Sequence, residues 1–355
     1  MADAQTKSAR DEPAIRTDVN LGPMNTLGVE TRAGQFVEIH HPDQLRALFD
    51  DGFFKRQTPI VLGGGSNILF ISEPEYPIVR MSIMGIEIKS GKDGTVLLKS
   101  GAGVNWHQLV RHSVEKELGG IENLALIPGT VGAAPIQNIG AYGVELKDVF
   151  DSLTVFDLQT GKFRTYSEAE CEFGYRDSVF KNSLRDRVIV CDVTLRLTKD
   201  FHNLNLSYSG LTDCLESKNI LSPAINDIFN AVVEIRRSKL PDPSDIGNAG
   251  SFFKNPIVSI DHYQKLKAAY PKIPSYKIGN DEYKIPAAWL IEQAGWKGKR
   301  VGNVSTYKNQ ALVIVNHGGA TGEEIYNHAV NIQKSVLEKF DINLLYEVNI
   351  VGTGL

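Results

Sequence analysis

One hydroxyl group stands between glycines and aromatic residues in residues 247–256, whose sequence is GNAGSFFKNP. Glycines as close together as Gly247 and Gly250 usually meet a need for positive φ or for close approach of the backbone to a ligand. Ser251 would then point into a crevice, where its hydroxyl can act as a hydrogen-bond or proton donor. The same pattern is equally typical of a turn that leads into a buried strand.

A run of three glycines, a serine and an asparagine occupies residues 63–67. It lacks the Gly-Lys-Ser/Thr of a Walker loop, and it does not enter a helix as a Rossmann GxGxxG does. A generic dinucleotide fold is therefore not indicated. Consecutive backbone N–H groups in such a turn can form a nest for a diphosphate, although a plain hairpin turn explains the run equally well.

A second run, IPGTVGAAPIQNIGAYG over residues 127–143, alternates small residues with Gln137, Asn138 and Tyr142. Backbone that presses against a large planar ligand has this composition, with amides left to bind the edge of a ring. The alternative is a glycine-rich Ω-type loop without a ligand.

Two charged residues are ambiguous when they are considered alone. Arg176 lies in the tripeptide Tyr175-Arg176-Asp177, which we expect at a strand end, and an Arg beside an Asp is most often a weak surface ion pair. Glu347 falls on the polar face of an alternating, edge-like strand, where a carboxylate is ordinarily solvated.

These segments, in this order and spacing from about Asn25 to Gly352, together resemble the UDP-N-acetylenolpyruvoylglucosamine reductase family, in its longer branch. The resemblance implies a flavoenzyme, a UDP-N-acetylmuramate dehydrogenase of peptidoglycan synthesis. In the implied ping-pong reaction, NADPH gives a hydride to FAD and leaves. The hydride then passes to the terminal vinyl carbon of UDP-N-acetylglucosamine enolpyruvate.

The two glycine runs look like the FAD site of the vanillyl-alcohol oxidase (PCMH) type, in which the first run holds the diphosphate and the second lies along the isoalloxazine. The implied FAD contacts are Gly63, Gly64, Gly65, Ser66, Asn67, Gly129, Thr130, Gly132, Gln137, Asn138, Gly140 and Tyr142. Neither run contains the His or Cys that tethers the flavin in many members of that superfamily, so the resemblance implies noncovalent FAD.

The resemblance also implies the catalytic residues. Arg176 would bind the substrate carboxylate, for which a planar two-pronged donor is suited, and Ser251 would protonate the α-carbon. Glu347 would be the acidic partner that supports the reacting carboxyl group. This chain departs from the family pattern beside Glu347, because Tyr346 stands where proline is expected and Asn349 where arginine is expected.

The residues that the resemblance assigns to the substrate are Tyr175, Tyr208, Lys239, Asn255 and Gln310. Considered alone, Tyr208 could equally be a core or edge aromatic, and Lys239 could simply complement the dipole at a helix C-terminus. His107 and His112 lie on a predicted helix without partners for a zinc site, so we expect structural roles and no metal.

Helices and strands of a mixed α+β fold must position these residues. Apolar spacing predicts helices over about 42–51, 106–118, 223–240, 286–294 and 321–340, the last with a capping box of Thr321 and Glu324. Strands are predicted over 59–62, 68–71, 311–315 and 344–350, with β-rich chain over 151–197. The expected domains are a flexible extension (1–20), a two-part FAD-binding domain (21–200), a connecting segment with a helix (201–240) and an α+β substrate-binding domain (241–355), whose last strand returns to the active site.

Composition narrows the class of protein. The chain has 355 residues, a net charge of −4 and a pI near 6.1, which argues against a nucleic-acid surface. Three scattered cysteines form no disulfide framework, and no apolar run is long enough to span a membrane. We therefore expect a cytoplasmic protein, which we take to be monomeric.

Two other functions stay open on the sequence. A flavin oxidase of the same superfamily, acting on an alcohol or hydroxy acid, would share the glycine runs but not Ser251, Tyr175-Arg176 and Glu347. A noncatalytic UDP-sugar binding protein would need no flavin loop.

Overall fold

The computed structural model describes residues 12–92 and 94–352, and it divides the chain into two compact units. The first unit contains the chain up to Val19, residues 33–64 and residues 75–236. The second contains residues 20–32, 65–74 and 237 onward. The chain thus passes from the first unit to the second three times: after Val19, between Gly64 and Gly65 inside the first glycine run, and after Arg236.

The strands of the described residues follow in chain order: β1 (Val19–Asn20), β2 (Arg32–Ala33), β3 (Phe36–Ile39), β4 (Ile60–Leu62), β5 (Ile68–Phe70), β6 (Ile78–Met81), β7 (Ile86–Ser90), β8 (Thr95–Gly101), β9 (Gly140–Ala141), β10 (Val144–Glu145), β11 (Phe150–Asp157), β12 (Phe163–Ser167), β13 (Val188–Thr198), β14 (Gly247–Ser251), β15 (Ile257–Ser259), β16 (Tyr276–Ile278), β17 (Glu282–Lys284), β18 (Arg300–Val301), β19 (Val304–Thr306), β20 (Val313–Asn316) and β21 (Asn349–Val351).

The α-helices of the same residues are α1 (Pro42–Asp50), α2 (Phe53–Arg56), α3 (Trp106–Glu115), α4 (Glu168–Cys171), α5 (Ser209–Ser217), α6 (Ile225–Lys239), α7 (Ile260–Ala269), α8 (Ala287–Gln293) and α9 (Gly322–Phe340).

The first unit is built on two sheets. A parallel sheet has the order β3-β6-β4, and a five-stranded antiparallel sheet has the order β12-β11-β13-β8-β7. Helix α3 turns Trp106, Leu109 and Val110 into the core, as its apolar spacing predicts. Helix α6 adds Ile228 and Val232 to the same core, so the second glycine run lies on a framework of strands and helices.

The second unit contains a four-stranded antiparallel sheet, β14-β20-β19-β18, a three-stranded sheet, β15-β17-β16, and the parallel pair β21-β5. Helix α9 covers the core with Ile325, Ile332 and Phe340. Its N-terminus carries the predicted capping box, in which Thr321 Oγ1 accepts from Glu324 N at 3.2 Å.

Two details differ from the sequence-based expectation. The first glycine run is not a hairpin, because β4 pairs with β6 while β5 pairs with β21. The predicted terminal strand over 344–350 is shorter, since β21 covers only Asn349–Val351 and Tyr346 makes a single bridge to Phe253. One bridge does not make a ladder, so this part of the chain stays irregular.

The predicted flexible extension over residues 1–20 lies partly outside the described residues, which begin at residue 12. Farther along, Arg16 N donates to Phe36 O at 2.8 Å, and its guanidinium lies 4.6 Å from the centre of the Phe36 ring. The structure therefore pairs Arg16 with a strand of the first unit.

The cysteines and the helices bear on two further expectations from the sequence. Cys171, Cys191 and Cys214 are free thiols, the first two buried and the third half-buried. No helix within residues 12–92 and 94–352 is both long and apolar enough to cross a membrane. In the same part of the chain, His, Cys, Asp and Glu side chains form no group that could hold a metal ion.

Candidate active site

The two glycine runs meet inside the first unit. A methyl group on Gly63 would stand 2.4 Å from Thr130 Oγ1, and one on Gly64 would stand 3.1 Å from Gly129 Cα. Only glycine permits this approach. The prediction that both runs contribute to one site is consistent with this contact, which joins Gly63 and Gly64 to the start of the second run.

Backbone hydrogen bonds hold the start of the second run on the chain before and within α3. Val131 N donates to Val104 O at 2.9 Å, and Gly132 N donates to Ala102 O at 2.9 Å. A methyl group on Gly132 would lie 2.6 Å from Ala102 Cβ, so this contact also depends on glycine.

Thr130 carries a buried hydroxyl, and no other described group hydrogen-bonds to its Oγ1. A buried polar atom normally has a partner, which makes this one a candidate ligand contact. Gly63 lies against that hydroxyl and Gly64 against Gly129, so a ligand there would meet glycine backbone and one hydroxyl. The residues present therefore fit FAD at this place.

The Asn138 side chain makes its hydrogen bonds within the protein. It is fully buried with a left-handed φ of 42°, and its Nδ2 donates to Glu145 Oε2 and to Gly174 O, both at 3.0 Å. Its Oδ1 accepts from Lys147 N at 3.0 Å. The side chain thus ties the second run to the turn that carries Arg176. Its neighbour Gln137 ends the 3-10 turn Pro135–Gln137.

Arg176 lies on a tight turn and not at a strand end as expected. Gly174 N donates to Asp177 O at 3.0 Å, which leaves Tyr175 and Arg176 at the tip. Arg176 has a left-handed φ of 52°, and its Nη2 donates to Gly140 O at 2.6 Å. This conformation is uncommon for a residue with a side chain, and contacts of the side chain must compensate for it.

Arg236 is a residue of this region that was not predicted from the sequence. Its guanidinium hydrogen-bonds the Tyr142 hydroxyl, and Tyr142 packs edge-on against Tyr208, with ring centres 4.9 Å apart. Burial lowers the pKa of Arg236, the charge of Arg176 lowers it further, and Tyr142 opposes both effects. Burial raises the pKa of Tyr142 against the opposing charge of Arg236. The two arginines thus place positive charge on one region of the first unit.

A signal for Arg236 was present in the sequence. The apolar stripe of α6 includes Phe229 and Val232, and Arg236 follows Val232 by four residues on the same face. A charge in the register of a buried stripe indicates a buried partner or a ligand.

Ser251 ends β14 in the second unit. Gly250 before it has a φ of 67°, and a methyl group on Gly247 would lie 2.4 Å from Leu27 O. The expected positive φ is therefore confirmed at Gly250, whereas the group close to Gly247 is a carbonyl of the protein and not a ligand. A bulge between Asn248 and Ser251 interrupts the pairing of β14 with β20 and changes the direction in which the following residues point.

Glu347 lies beside the residue after Ser251. Its backbone N donates to Phe252 O at 2.9 Å, and its O accepts from Asn67 Nδ2 at 3.2 Å. Asn67, the Ser251 strand and Glu347 are thus brought together within the second unit. Gly65, with a φ of 63°, and Ser66 precede Asn67 in the same unit.

Tyr346, the first of the two departures from the family pattern, packs against this part of the chain. Its ring stacks on Phe253, with centres 5.5 Å apart, and its hydroxyl hydrogen-bonds Gln333 and Tyr326. Burial and Tyr326 raise the pKa of the Tyr346 hydroxyl, which therefore stays protonated. Asn349, the second departure, donates its Nδ2 to Asn67 O at 3.0 Å.

The remaining predicted substrate contacts lie at separate places. Gln310 Oε1 accepts from Leu312 N at 3.3 Å, in the turn before the strand that pairs with Ser251. Asn255 Oδ1 accepts from Ala287 N at 2.9 Å and so caps the start of α8. Tyr208 immediately precedes α5 and is 38% exposed, and Lys239 is the exposed last residue of α6.

Two family models match separate parts of the chain. An FAD binding domain matches residues 33–167, and the C-terminal domain of UDP-N-acetylenolpyruvoylglucosamine reductase matches residues 242–351.

Curated relatives match nearly the whole length. A UDP-N-acetylenolpyruvoylglucosamine reductase of Flavobacterium johnsoniae is 43% identical over 337 residues, which cover 95% of this chain and 99% of that protein. The enzyme of the same name from Amoebophilus asiaticus is 45% identical over 338 residues, with coverage of 95% and 99%. That from Pseudomonas aeruginosa is 44% identical over 336 residues, with coverage of 95% and 98%.

A solved structure is similar over the same length. The crystal structure of UDP-N-acetylenolpyruvylglucosamine reductase from Thermus caldophilus has a TM-score of 0.66 and 24% identity, and it covers 96% of this chain and 100% of its own. The expected fold class, an α+β chain with an FAD-binding module and a C-terminal domain, is confirmed by this likeness and by the two models.

Proposed function

We propose that this chain, which belongs to the UDP-N-acetylenolpyruvoylglucosamine reductase family, converts UDP-N-acetylglucosamine enolpyruvate to UDP-N-acetylmuramate in peptidoglycan synthesis, with NADPH as hydride donor. The chain is an FAD-dependent oxidoreductase. The observation that carries the proposal is identity of 42–45% over about 95% of the chain to enzymes of that name.

Residues of both glycine runs would hold the cofactor. Gly63 and Gly64 pack closely against Thr130 and Gly129, and the buried Thr130 hydroxyl can hydrogen-bond to the cofactor. Bound FAD would supply a two-electron carrier between NADPH and the substrate. Because neither run contains His or Cys, we propose that FAD is held without a covalent bond.

Arg176 would bind the substrate carboxylate. The turn between Gly174 and Asp177 and the hydrogen bond to Gly140 O orient its guanidinium, and the nearby charge of Arg236 favours an anion. A preoriented cation stabilises negative charge that develops beside the carboxylate during the reaction.

Ser251 would complete the reaction. Hydride addition at the terminal vinyl carbon produces a methyl group and leaves an enolate on the substrate. A proton from Ser251 Oγ to the α-carbon then gives the lactyl ether. A serine hydroxyl is a weak acid, and this step is feasible because an enolate within hydrogen-bond reach is a strong base. Glu347 would support the reacting carboxyl group.

The UDP part of the substrate has its own set of proposed residues. We assign the diphosphate to Tyr208 and Lys239, the uridine and phosphate side to Asn255 and Gln310, and the wall of the site to Tyr175. Support comes from the exposure of Tyr208 and Lys239 and from the position of Gln310 beside the Ser251 strand. We also propose a cytoplasmic location, which the three free cysteines support, and a monomeric state.

The proposal is tested by the colour and turnover of the purified protein. It should be yellow, release intact FAD with heat or acid, and consume one NADPH for each UDP-N-acetylmuramate formed, as measured by mass spectrometry. Alcohols and hydroxy acids with oxygen serve as the control for an oxidase. A colourless protein that does not take up added FAD would contradict the proposal.

A further inference from the structure

We propose that His107 is a positioning residue for the flavin site, because its imidazole holds the backbone of Leu126 and thereby the segment that leads into Gly129 and Thr130. The inference rests on the proposed contact of Gly129 and Thr130 with FAD. It gives this histidine a role beyond the purely structural one expected from the sequence.

The central contact is a hydrogen bond from Leu126 N to His107 Nδ1 at 3.0 Å. Only an unprotonated ring nitrogen can accept a hydrogen bond, so the neutral His107 ring carries its proton on Nε2. Leu126 has a left-handed φ of 58°, which residues with side chains rarely adopt. The histidine therefore accepts from a backbone group whose conformation needs support.

Two contacts of the preceding residue act on the same segment. Trp106 Nε1 donates to Leu124 O at 3.0 Å, and Trp106 N donates to Gly129 O at 3.0 Å. The first turn of α3 thus holds the segment at residues 124, 126 and 129. The His107 contact is the middle one of the three.

The plane of the His107 ring is set from α6. The ring lies parallel to that of Phe229, with an interplanar angle of 3° and 5.5 Å between ring centres. His107 therefore does two separable things, since its ring packs on Phe229 and its Nδ1 accepts from Leu126. Substitution can remove either one and keep the other.

The chain held by His107 reaches the proposed FAD contact Thr130 within four residues. Thr130 Oγ1, buried and without a partner among the described groups, stands where a methyl group on Gly63 would touch it. Binding geometry depends on the position of such a group to within about 1 Å. Release of Leu126 should therefore displace Gly129 and Thr130 and weaken FAD binding.

The test is the dissociation constant of FAD in the full-length protein, measured by quenching of flavin fluorescence. His107→Phe keeps a flat ring against Phe229 and removes the acceptor. His107→Asn removes the ring and keeps an acceptor oxygen at the δ position. His112→Phe, five residues farther along α3, is the matched control.

We expect His107→Phe to raise the dissociation constant about tenfold to a hundredfold, the effect of leaving one backbone donor unpaired. His107→Asn should stay within about threefold of the parent, and His112→Phe should leave it unchanged. The circular dichroism of bound flavin should change in His107→Phe and not in His107→Asn.

If His107 has a merely structural role, both His107 variants should melt at a lower temperature and bind FAD as the parent does. That result would overturn the proposal. If His107→Phe does not fold, His107→Asn must bind FAD at least about tenfold more tightly than His107→Ala, and equal binding overturns the proposal. Failure of the parent itself to bind FAD would instead refute the proposed function.

Discussion

The second glycine run in the first unit and the chain around Glu347 in the second are both irregular, but different contacts stabilise them. In and around the glycine run, four residues that carry side chains adopt left-handed conformations, namely Leu126, Asn138, Tyr142 and Arg176. Each such residue costs about 1–2 kcal/mol. Hydrogen bonds from side chains compensate, such as those of Asn138 and that of Arg176 to Gly140 O.

Around Ser251 and Glu347 the left-handed position belongs to a glycine, Gly250. The register is set there by backbone pairing, with Glu347 N on Phe252 O and Lys254 N on Leu345 O, both at 2.9 Å. Aromatic rings then pack on that pairing. Substitutions in the first region should therefore change its shape and weaken ligand binding. In the second region, loss of a single reacting group should leave the shape unchanged.

The largest expected effect tests that difference in the second region. Ser251→Ala should leave flavin reduction by NADPH near normal, because no proton need pass through Ser251 in that step. Reoxidation by the enolpyruvyl substrate should slow by about 10²-fold to 10⁴-fold, roughly 3–5 kcal/mol of barrier. Anaerobic stopped-flow absorbance of the two half-reactions measures both rates.

Ser251→Cys is the matched control, since a thiol can also donate a proton and should recover part of the reoxidation rate. If Ser251→Ala slows both half-reactions equally, the residue shapes the pocket and is not the proton donor.

The second expected effect compares the unpaired buried atoms of the two units. Unpaired atoms of the first unit include Thr130 Oγ1, which does not titrate, and Arg236 Nε. In the second unit His328 titrates, and its Nδ1 has no partner among the described groups. Burial, with a smaller contribution from the charge of Lys299, lowers the pKa of His328 to about 4 from 6.5. As the pH falls, His328 therefore binds a proton in the unfolded chain before it does so in the folded protein.

The His328 contribution to stability is fully present above about pH 6.5, and up to about 3 kcal/mol is lost as the pH falls to 4. Urea unfolding at a series of pH values should show this slope in the parent and lose it in His328→Gln. His40→Gln, at an exposed position, should keep it. An unchanged slope in His328→Gln would show that other groups cause the acid sensitivity.

The third effect tests the shape dependence of the first region. Gly132→Ala would place a methyl group 2.6 Å from Ala102 Cβ, which is fixed to the backbone. Such overpacking costs about 1–3 kcal/mol, and we expect FAD to bind roughly tenfold to a hundredfold more weakly. Equilibrium titration with FAD measures the change.

Gly34→Ala provides the control for Gly132→Ala, because a methyl group there meets no atom within 4 Å. Weakening of FAD binding by both substitutions would mean that the effect is not local to the second glycine run.

The smallest effect concerns the aromatic packing beside Glu347. Tyr346→Phe keeps the stack on Phe253 and removes the hydroxyl that hydrogen-bonds Gln333 and Tyr326. Loss of two such bonds costs about 2 kcal/mol, so the melting temperature should fall by roughly 4–8 °C with kcat within about twofold. Tyr276→Phe, at a residue 62% exposed, should change neither quantity. A large fall in kcat would give the hydroxyl a part in the chemistry.

The elements that the sequence predicted well have local signals. The capping box at Thr321, the apolar stripe of α3 and the need for positive φ at Gly250 each depend on a few neighbouring residues. The candidate residues Ser251 and Glu347 were found through the resemblance, and the structure places them on adjacent segments through the bond from Glu347 N to Phe252 O.

What the sequence could not give depends on partners far along the chain. Asn138 was assigned to the flavin, yet its amide bonds are made with Glu145, Gly174 and Lys147. Arg236 acquires its importance from Tyr142, which lies 94 residues earlier in the sequence. No local pattern reports such a pairing, although a charge on the apolar face of α6 was a usable warning.

The burial of two of the three cysteines has a consequence for labelling chemistry. Burial raises the pKa of the Cys171 and Cys191 thiols to about 12, so neither offers an accessible thiolate to a maleimide. Cys214 is half-buried on α5, the helix that starts immediately after Tyr208. The native chain should therefore accept one fluorophore there, and its emission can report substrate arrival near Tyr208 without any engineered cysteine.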